Sequence, residues 1–149
     1  ADDLLLTFKV EDVADLLLPK CSTSERSDGL WNATCFELFL QPVTSDAYWE
    51  FNFSPSTRWA AYEFTSYRQC RRNLPLTVDP HIDCGDEQSG YVIEVDLDLS
   101  NIPNVALRMG LSAVIQERSG RKSYWALAHP PDKADFHHPE TFILELPAA

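Results

Sequence analysis

Apolar and polar residues alternate through almost every segment of this chain, and a period of two marks extended strands that turn one face to a core. The clearest case sets Tyr91, Ile93, Val95, Leu97 and Leu99 against Val92, Glu94, Asp96 and Asp98. Leu4, Leu6, Phe8 and Val10 alternate in the same way with Leu5, Thr7 and Lys9, and a polar loop from Ser22 to Gly29 follows. Leu30 to Leu40 reads as a mostly apolar strand ended by Gln41-Pro42. Tyr48 to Phe53 and Trp59 to Phe64 read as a hairpin turned at Pro55-Ser56. Leu107 to Gln116 and Lys122 to His129 form a second hairpin around Ser119-Gly120, and Phe142, Leu144 and Leu146 close a last strand.

The stretch from Ser66 to Ser89, with Pro75, Pro80 and Gly85, is the least regular, with a short strand expected at Leu74 to Val78. Helical periodicity nowhere persists beyond a turn or two. Eight or so strands at short spacing leave no room for crossover helices, so the chain is predicted to be all-β, an antiparallel two-sheet β-sandwich or jelly roll. At 149 residues it is expected to form one domain over 1–149, large enough to bury a core without a metal or disulfide staple.

A formal charge of −11, from 23 acidic and 12 basic Lys and Arg residues, repels phosphate backbones. The one basic cluster, Arg68, Arg71 and Arg72, is short. Nucleic acid and anionic membrane are therefore poor partners, while a neutral or cationic ligand is compatible with the charge, and no run approaches the ~20 apolar residues of a membrane-spanning helix. Four cysteines permit two disulfides, but their density is not that of a stapled secreted scaffold, and no CxxC points to structural zinc. Cys35 reads as a buried thiol. Nothing at the start resembles a signal peptide, although the chain opens at Ala1 without Met, and the expected compartment is the cytoplasm.

Three of the four histidines, His129, His137 and His138, fall in one proline-bounded loop with Asp135 and Lys133, just beyond the aromatic stretch Tyr124-Trp125. Prolines stiffen a loop and lower the ordering cost of binding. Adjacent His137 and His138 point to opposite sides of an extended backbone, and the spacing matches no specific metal motif. Such a loop is either a ligand site or a corner held by imidazole hydrogen bonds. Indoles and phenols stack on sugar rings while their polar edges stay wet, and Trp31, next to the polar loop, and Trp59 are the tryptophans expected at a binding surface. Trp49, on a wholly apolar face, is expected in the core. Glu37 and Glu50 lie on neighbouring strands as glycosidase carboxylates do, but are read as a solvated strand face. The chain has no G-x-S-x-G elbow, H-E-x-x-H or glycine-rich phosphate loop.

Asp28-Gly29-Leu30-Trp31-Asn32-Ala33-Thr34-Cys35-Phe36-Glu37, Tyr48-Trp49-Glu50-Phe51-Asn52-Phe53-Ser54-Pro55, Trp59-Ala60-Ala61-Tyr62 and the stretch from Ser123 to Pro139 together resemble the DOMON-like domains found as stand-alone bacterial proteins. That group is related in fold to the family-nine carbohydrate-binding modules and to DOMON domains that bind haem or sugar. The resemblance implies a β-sandwich or jelly roll whose ligand lies on one open face, without enzymatic activity. Tryptophans flank the sugar in the sugar-binding relatives, and Trp31 and Trp59 are the positions here that match by type. Haem-binding relatives use a Met/His axial pair, and the single methionine, Met109, alternates onto the inward face.

The sequence thus predicts a non-catalytic module for a small polar ligand, a saccharide before any other. The predicted binding residues are Trp31, Trp59, Tyr67, Arg68, Trp125, His129, Asp135 and His137, with no catalytic residue, metal site or cofactor. Alternatives are a haem or redox module and an interaction domain whose aromatics form a homo-oligomer surface.

Overall fold

The computed structural model describes residues 3–88 and 90–149; Ala1, where the chain opens, and Ser89, the last residue of the irregular stretch, lie outside them. Among the described residues the fold has no α-helix, and its strands build two antiparallel sheets, the all-β sandwich that the alternation predicts. The smaller sheet orders β1 (Asp3–Glu11), β7 (Gly90–Asp98) and β6 (His81–Glu87). The larger orders β10 (Leu144–Leu146), β8 (Leu107–Gln116), β2 (Cys35–Pro42), β3 (Tyr48–Phe53), β4 (Trp59–Phe64) and β5 (Arg72–Asn73), with β9 (Lys122–Ala126) also paired to β8. Among the described residues no helix is long and apolar enough to cross a membrane.

Register explains the sandwich. Leu4, Leu6, Phe8 and Val10 lie opposite Leu97, Val95, Ile93 and Tyr91, so one face of the small sheet is continuously apolar. That face packs on Phe36, Leu38 and Leu40 of β2 and Phe51 and Phe53 of β3, all buried. Phe8 and Phe36 join the sheets with ring centroids 5.1 Å apart. Burying each such side chain contributes about 1.5–3 kcal/mol against the entropy of ordering the chain. On the outer face of the small sheet Leu5, Thr7, Glu94 and Asp96 face water, as alternation requires of a sheet with one solvated side.

The larger sheet departs from that rule, because its outer face is also covered. Phe39, Tyr48, Ala60, Tyr62, Phe64 and Phe142 form a second buried cluster there, with Leu30 and Phe136 packed against it. Gly110 of β8 makes room for this cover: a Cβ at that position would lie 2.7 Å from Phe142 Cδ1.

Three local expectations need correction. Leu30–Asn32 is a 3-10 turn and the strand begins at Cys35, because Gly29 takes a left-handed φ of 74° and redirects the chain. Leu74 to Val78 is not a strand: Leu74 N–H reaches Ala61 O at 2.9 Å, and Pro75 then has no N–H to continue the ladder. His81–Glu87, expected to be irregular, is an edge strand whose pattern is hidden because only Ile82 is buried and its other residues are polar or half-exposed.

Candidate functional site

Covering both faces of β2 and β3 forces the residues between the core positions out of water as well. Register aligns Ser112, Glu37, Asn52 and Ala60 in one row across β8, β2, β3 and β4, and Gly110, Phe39, Glu50 and Tyr62 in the next. Glu37 and Glu50 are therefore not a solvated face. They are 3% and 5% exposed, and they form the floor of a cavity of about 560 Å³. The cover that buries them is supplied by distant segments, the 3-10 turn Leu30–Asn32, the turn after β4 and the loop before β10.

Two buried carboxyl groups side by side cannot both ionise cheaply. Burial, then the charge of Glu50, holds Glu37 well above the usual glutamate range. Burial also raises Glu50, against the opposing effect of hydrogen bonds from Glu37 and Asn52. Burial of both carboxyls beside each other favours one shared proton over two charges. The Asn52 amide nitrogen, oriented by its surroundings, donates to Glu50 Oε1 at 3.0 Å and to Glu37 Oε1 at 3.2 Å, clamping the two together.

A relay runs from this floor to the rim. The backbone N–H of Arg68 donates to Tyr48 Oη at 3.0 Å, and Tyr48 Oη lies 2.7 Å from His137 Nδ1. With Tyr48 donating to Nδ1, the imidazole proton sits on Nε2, which faces Glu50 Oε2 at 3.4 Å. Burial, then the charge of Arg68, lowers His137 to about 4, so the ring is neutral near pH 7. Its ring lies edge-on to Phe39 at 5.0 Å and Phe64 at 5.1 Å. Burial pushes the Tyr48 phenol up to about 12, so it keeps the proton it donates.

Arg68 stands at the rim in the left-handed region, φ 53°, two residues before Cys70 at 55°. Two non-glycine residues held this way in one short turn store strain, which folds tolerate where a side chain must be aimed. Arg68 Nη2 meets Asp135 Oδ1 at 2.7 Å, and Tyr67 Oη donates to the other Asp135 oxygen. Burial would raise Asp135, but these bonds from Tyr67 and Arg68 outweigh it and keep the carboxyl below its usual range. This latch ties the turn after β4 to the loop before β10. Trp31, Tyr124 and Phe136 wall the cavity, with Arg71 and Lys122 also on its lining.

Of the residues singled out from sequence, the fold brings Trp31, Arg68, Asp135 and His137 onto one cavity, with Tyr67 joined to it through Asp135. Trp31 is 37% exposed. The adjacent histidines part as their spacing predicts. His137 turns in, while His138 Nδ1 accepts from Glu140 N–H at 3.1 Å and holds the corner. His129 stays exposed and stacks at 6.4 Å on Phe136 rather than lining the cavity.

Two tryptophans need correction. Trp59 is 3% exposed between the sheets, beneath the Arg26 guanidinium at 4.5 Å. Arg26 is fixed there by the carbonyls of Ala61 and Leu74, so the indole has no open face. Trp125 is 63% exposed, but it lies beside Ala113 on the opposite side of the sheet, turned away from the cavity. Trp49, expected in the core, packs against it while half-buried.

Sequence reading passed over Asn52, Tyr48, Arg71, Lys122, Tyr124 and Phe136 as site residues, and it misjudged the surroundings of Glu37 and Glu50. One signal was present: Glu37 interrupts an otherwise apolar run, Cys35-Phe36-Glu37-Leu38-Phe39-Leu40, which marks a strand covered on both sides. Among the described residues no group of three His, Cys, Asp or Glu side chains is placed to hold a metal ion. Met109 is buried between the sheets, on the far side of β8 from His137. The four cysteines are unpaired thiols, and burial raises Cys35 further.

No family model matches the chain, and no curated protein does. Among solved structures the fold is similar to that of a Bacteroides uniformis protein named as a candidate carbohydrate-binding protein. The two share 15% identity and a TM-score of 0.63, over 94% of this chain and 71% of that one.

Proposed function

We propose that the chain is a non-catalytic binding domain whose cavity takes a saccharide. The observation that carries the reading is the Glu37, Glu50 and Asn52 cluster, buried yet forming the floor of an open cavity walled by Trp31, Tyr124 and Phe136. A ring stacked on an indole with its hydroxyls donating to fixed carboxyl oxygens uses both features at once. An apolar ligand would strip water from the carboxyl oxygens that the floor turns to the cavity without replacing it, which is costly. The name of the structurally similar Bacteroides uniformis protein agrees with this reading.

Binding without catalysis is favoured by the closeness of the two acids. Both accept from one Asn52 nitrogen, at 3.0 and 3.2 Å, on a single floor, rather than facing each other across the cavity as glycosidase carboxyls flank a scissile bond. A glycan array followed by calorimetry is the test. A saccharide should bind, and Glu50→Gln, which swaps an acceptor oxygen for a donor, should weaken it at least tenfold. An array without a single saccharide bound removes the proposal.

A further inference from the structure

We infer that the saccharide taken by this cavity carries a carboxylate and that Arg71 is the residue that reads it; the inference rests on the saccharide reading above. The carrying observation is an arginine on the cavity wall that no carboxylate engages. The chain as a whole has a formal charge of −11, yet three cations, Arg68, Arg71 and Lys122, line this one cavity. Facing them are Asp135, which is bound to Arg68, and the Glu37 and Glu50 pair, whose burial opposes full ionisation.

The cations are not equivalent. Arg68 is engaged by Asp135 at 2.7 Å, whereas neither Arg71 nor Lys122 has an ion-pair partner among the described residues. Lys122 is a flexible point charge on β9, at the other end of the cavity from the turn after β4. The Arg71 guanidinium carbon lies 4.8 Å from the Tyr62 ring centroid and 5.7 Å from that of Trp31. A guanidinium set against two rings with no carboxylate bonded to it keeps a planar pair of N–H donors available, the geometry that matches a carboxylate. Because one of those rings is the indole proposed to stack on the sugar, a carboxylate on the ring's own substituent falls within reach of Arg71. A cationic amino sugar would instead meet like charge at Arg71 and Lys122, the two cavity cations without an ion-pair partner among the described residues. The overall negative charge opposes an acidic ligand only weakly, since screening at physiological salt acts beyond about 8 Å.

Matched sugars that differ only in the oxidation of C6 test this: D-glucuronate with D-glucose, D-galacturonate with D-galactose, and D-mannuronate with D-mannose. Each is titrated calorimetrically at pH 7 into the wild-type chain and into Arg71→Gln, with circular dichroism confirming the fold of the variant. In at least one pair the acid should bind tenfold or more tighter than its neutral partner, and Arg71→Gln should bring the acid down to the neutral sugar's affinity. Equal binding within every pair, or a preference for the acid that survives in Arg71→Gln, overturns this inference while leaving the saccharide reading in place. No binding by any of the six sugars overturns this inference, and the glycan array then decides the saccharide reading.

Discussion

The two faces of β2 and β3 are built from the same strands, one residue apart, and both are buried, yet they serve different ends. The inner face carries Phe36, Leu38, Leu40, Phe51 and Phe53 against the small sheet. The outer face carries Glu37, Tyr48, Glu50 and Asn52 under a cover of loops. An apolar residue at any of those outer positions would cost less to bury, so the outer face is not what a sequence selected for stability alone would place there. Strands make this division sharp, since a side-chain period of two lets one stretch of chain serve packing and recognition independently.

The largest expected effect separates the faces directly. Phe51→Ala should lower the unfolding free energy by about 3–5 kcal/mol in urea titration, because it empties space between the sheets. Its neighbour Glu50→Gln keeps the shape and removes a buried charge, and should shift stability by no more than about 1 kcal/mol. A Glu50→Gln protein as destabilised as Phe51→Ala would mean that the outer face also serves the fold first.

The tryptophans sharpen the same contrast. Trp59→Ala should cost about 3–5 kcal/mol of stability, as a core truncation does. Trp31→Ala should instead cost about 2 kcal/mol of saccharide binding, read by calorimetry, with the unfolding curve little changed. Reversal of the two phenotypes would exchange the roles assigned to the faces.

Acid titration comes next. His137 sits at about 4 when folded and near 6.5 when unfolded, so between those values the unfolded chain binds more protons and stability falls as the pH falls. Glu37 and Glu50 are raised by folding, so their contribution has the opposite sign, present at low pH and lost as the pH rises through their folded range. Urea unfolding from pH 4 to pH 8 should show the acid-side loss in the wild type and lose that limb in His137→Gln. An unchanged acid limb in His137→Gln would place the imidazole outside the buried network. The smallest effect is expected at Trp125→Ala, which should leave saccharide affinity unchanged and stability within about 0.5 kcal/mol. A large loss of binding there would put the ligand on the wrong side of the sheet.

Much of the sandwich was legible because period-two patterning is a local signal: β7 and β1, and the hairpin of β3 with β4, follow directly from their alternation. His137 and His138 pointed apart for the same reason. The cavity was legible only in part, through Trp31, Arg68, Asp135 and His137, residues whose chemistry stands out one at a time. Glu37 and Glu50 were misread because alternation reports which residues share a face and not what covers that face. Their cover comes from the loop containing Asp135 to Phe142, far along the chain, and no window of sequence contains both. Trp59 was misread for a related reason: Arg26, which seals it, reaches across from the polar loop to backbone carbonyls that no side-chain pattern reveals.

The most direct test of the outer face is carbon-13 NMR of the glutamate side-chain carboxyls during titration with the saccharide selected by glycan array. The resonances of Glu37 and Glu50 should titrate well above those of the exposed glutamates and should move as the saccharide saturates while the exposed ones stay still. Resonances that titrate with the exposed glutamates, or that stay fixed while the sugar binds, would contradict the claim that this buried acidic floor exists to recognise a ligand.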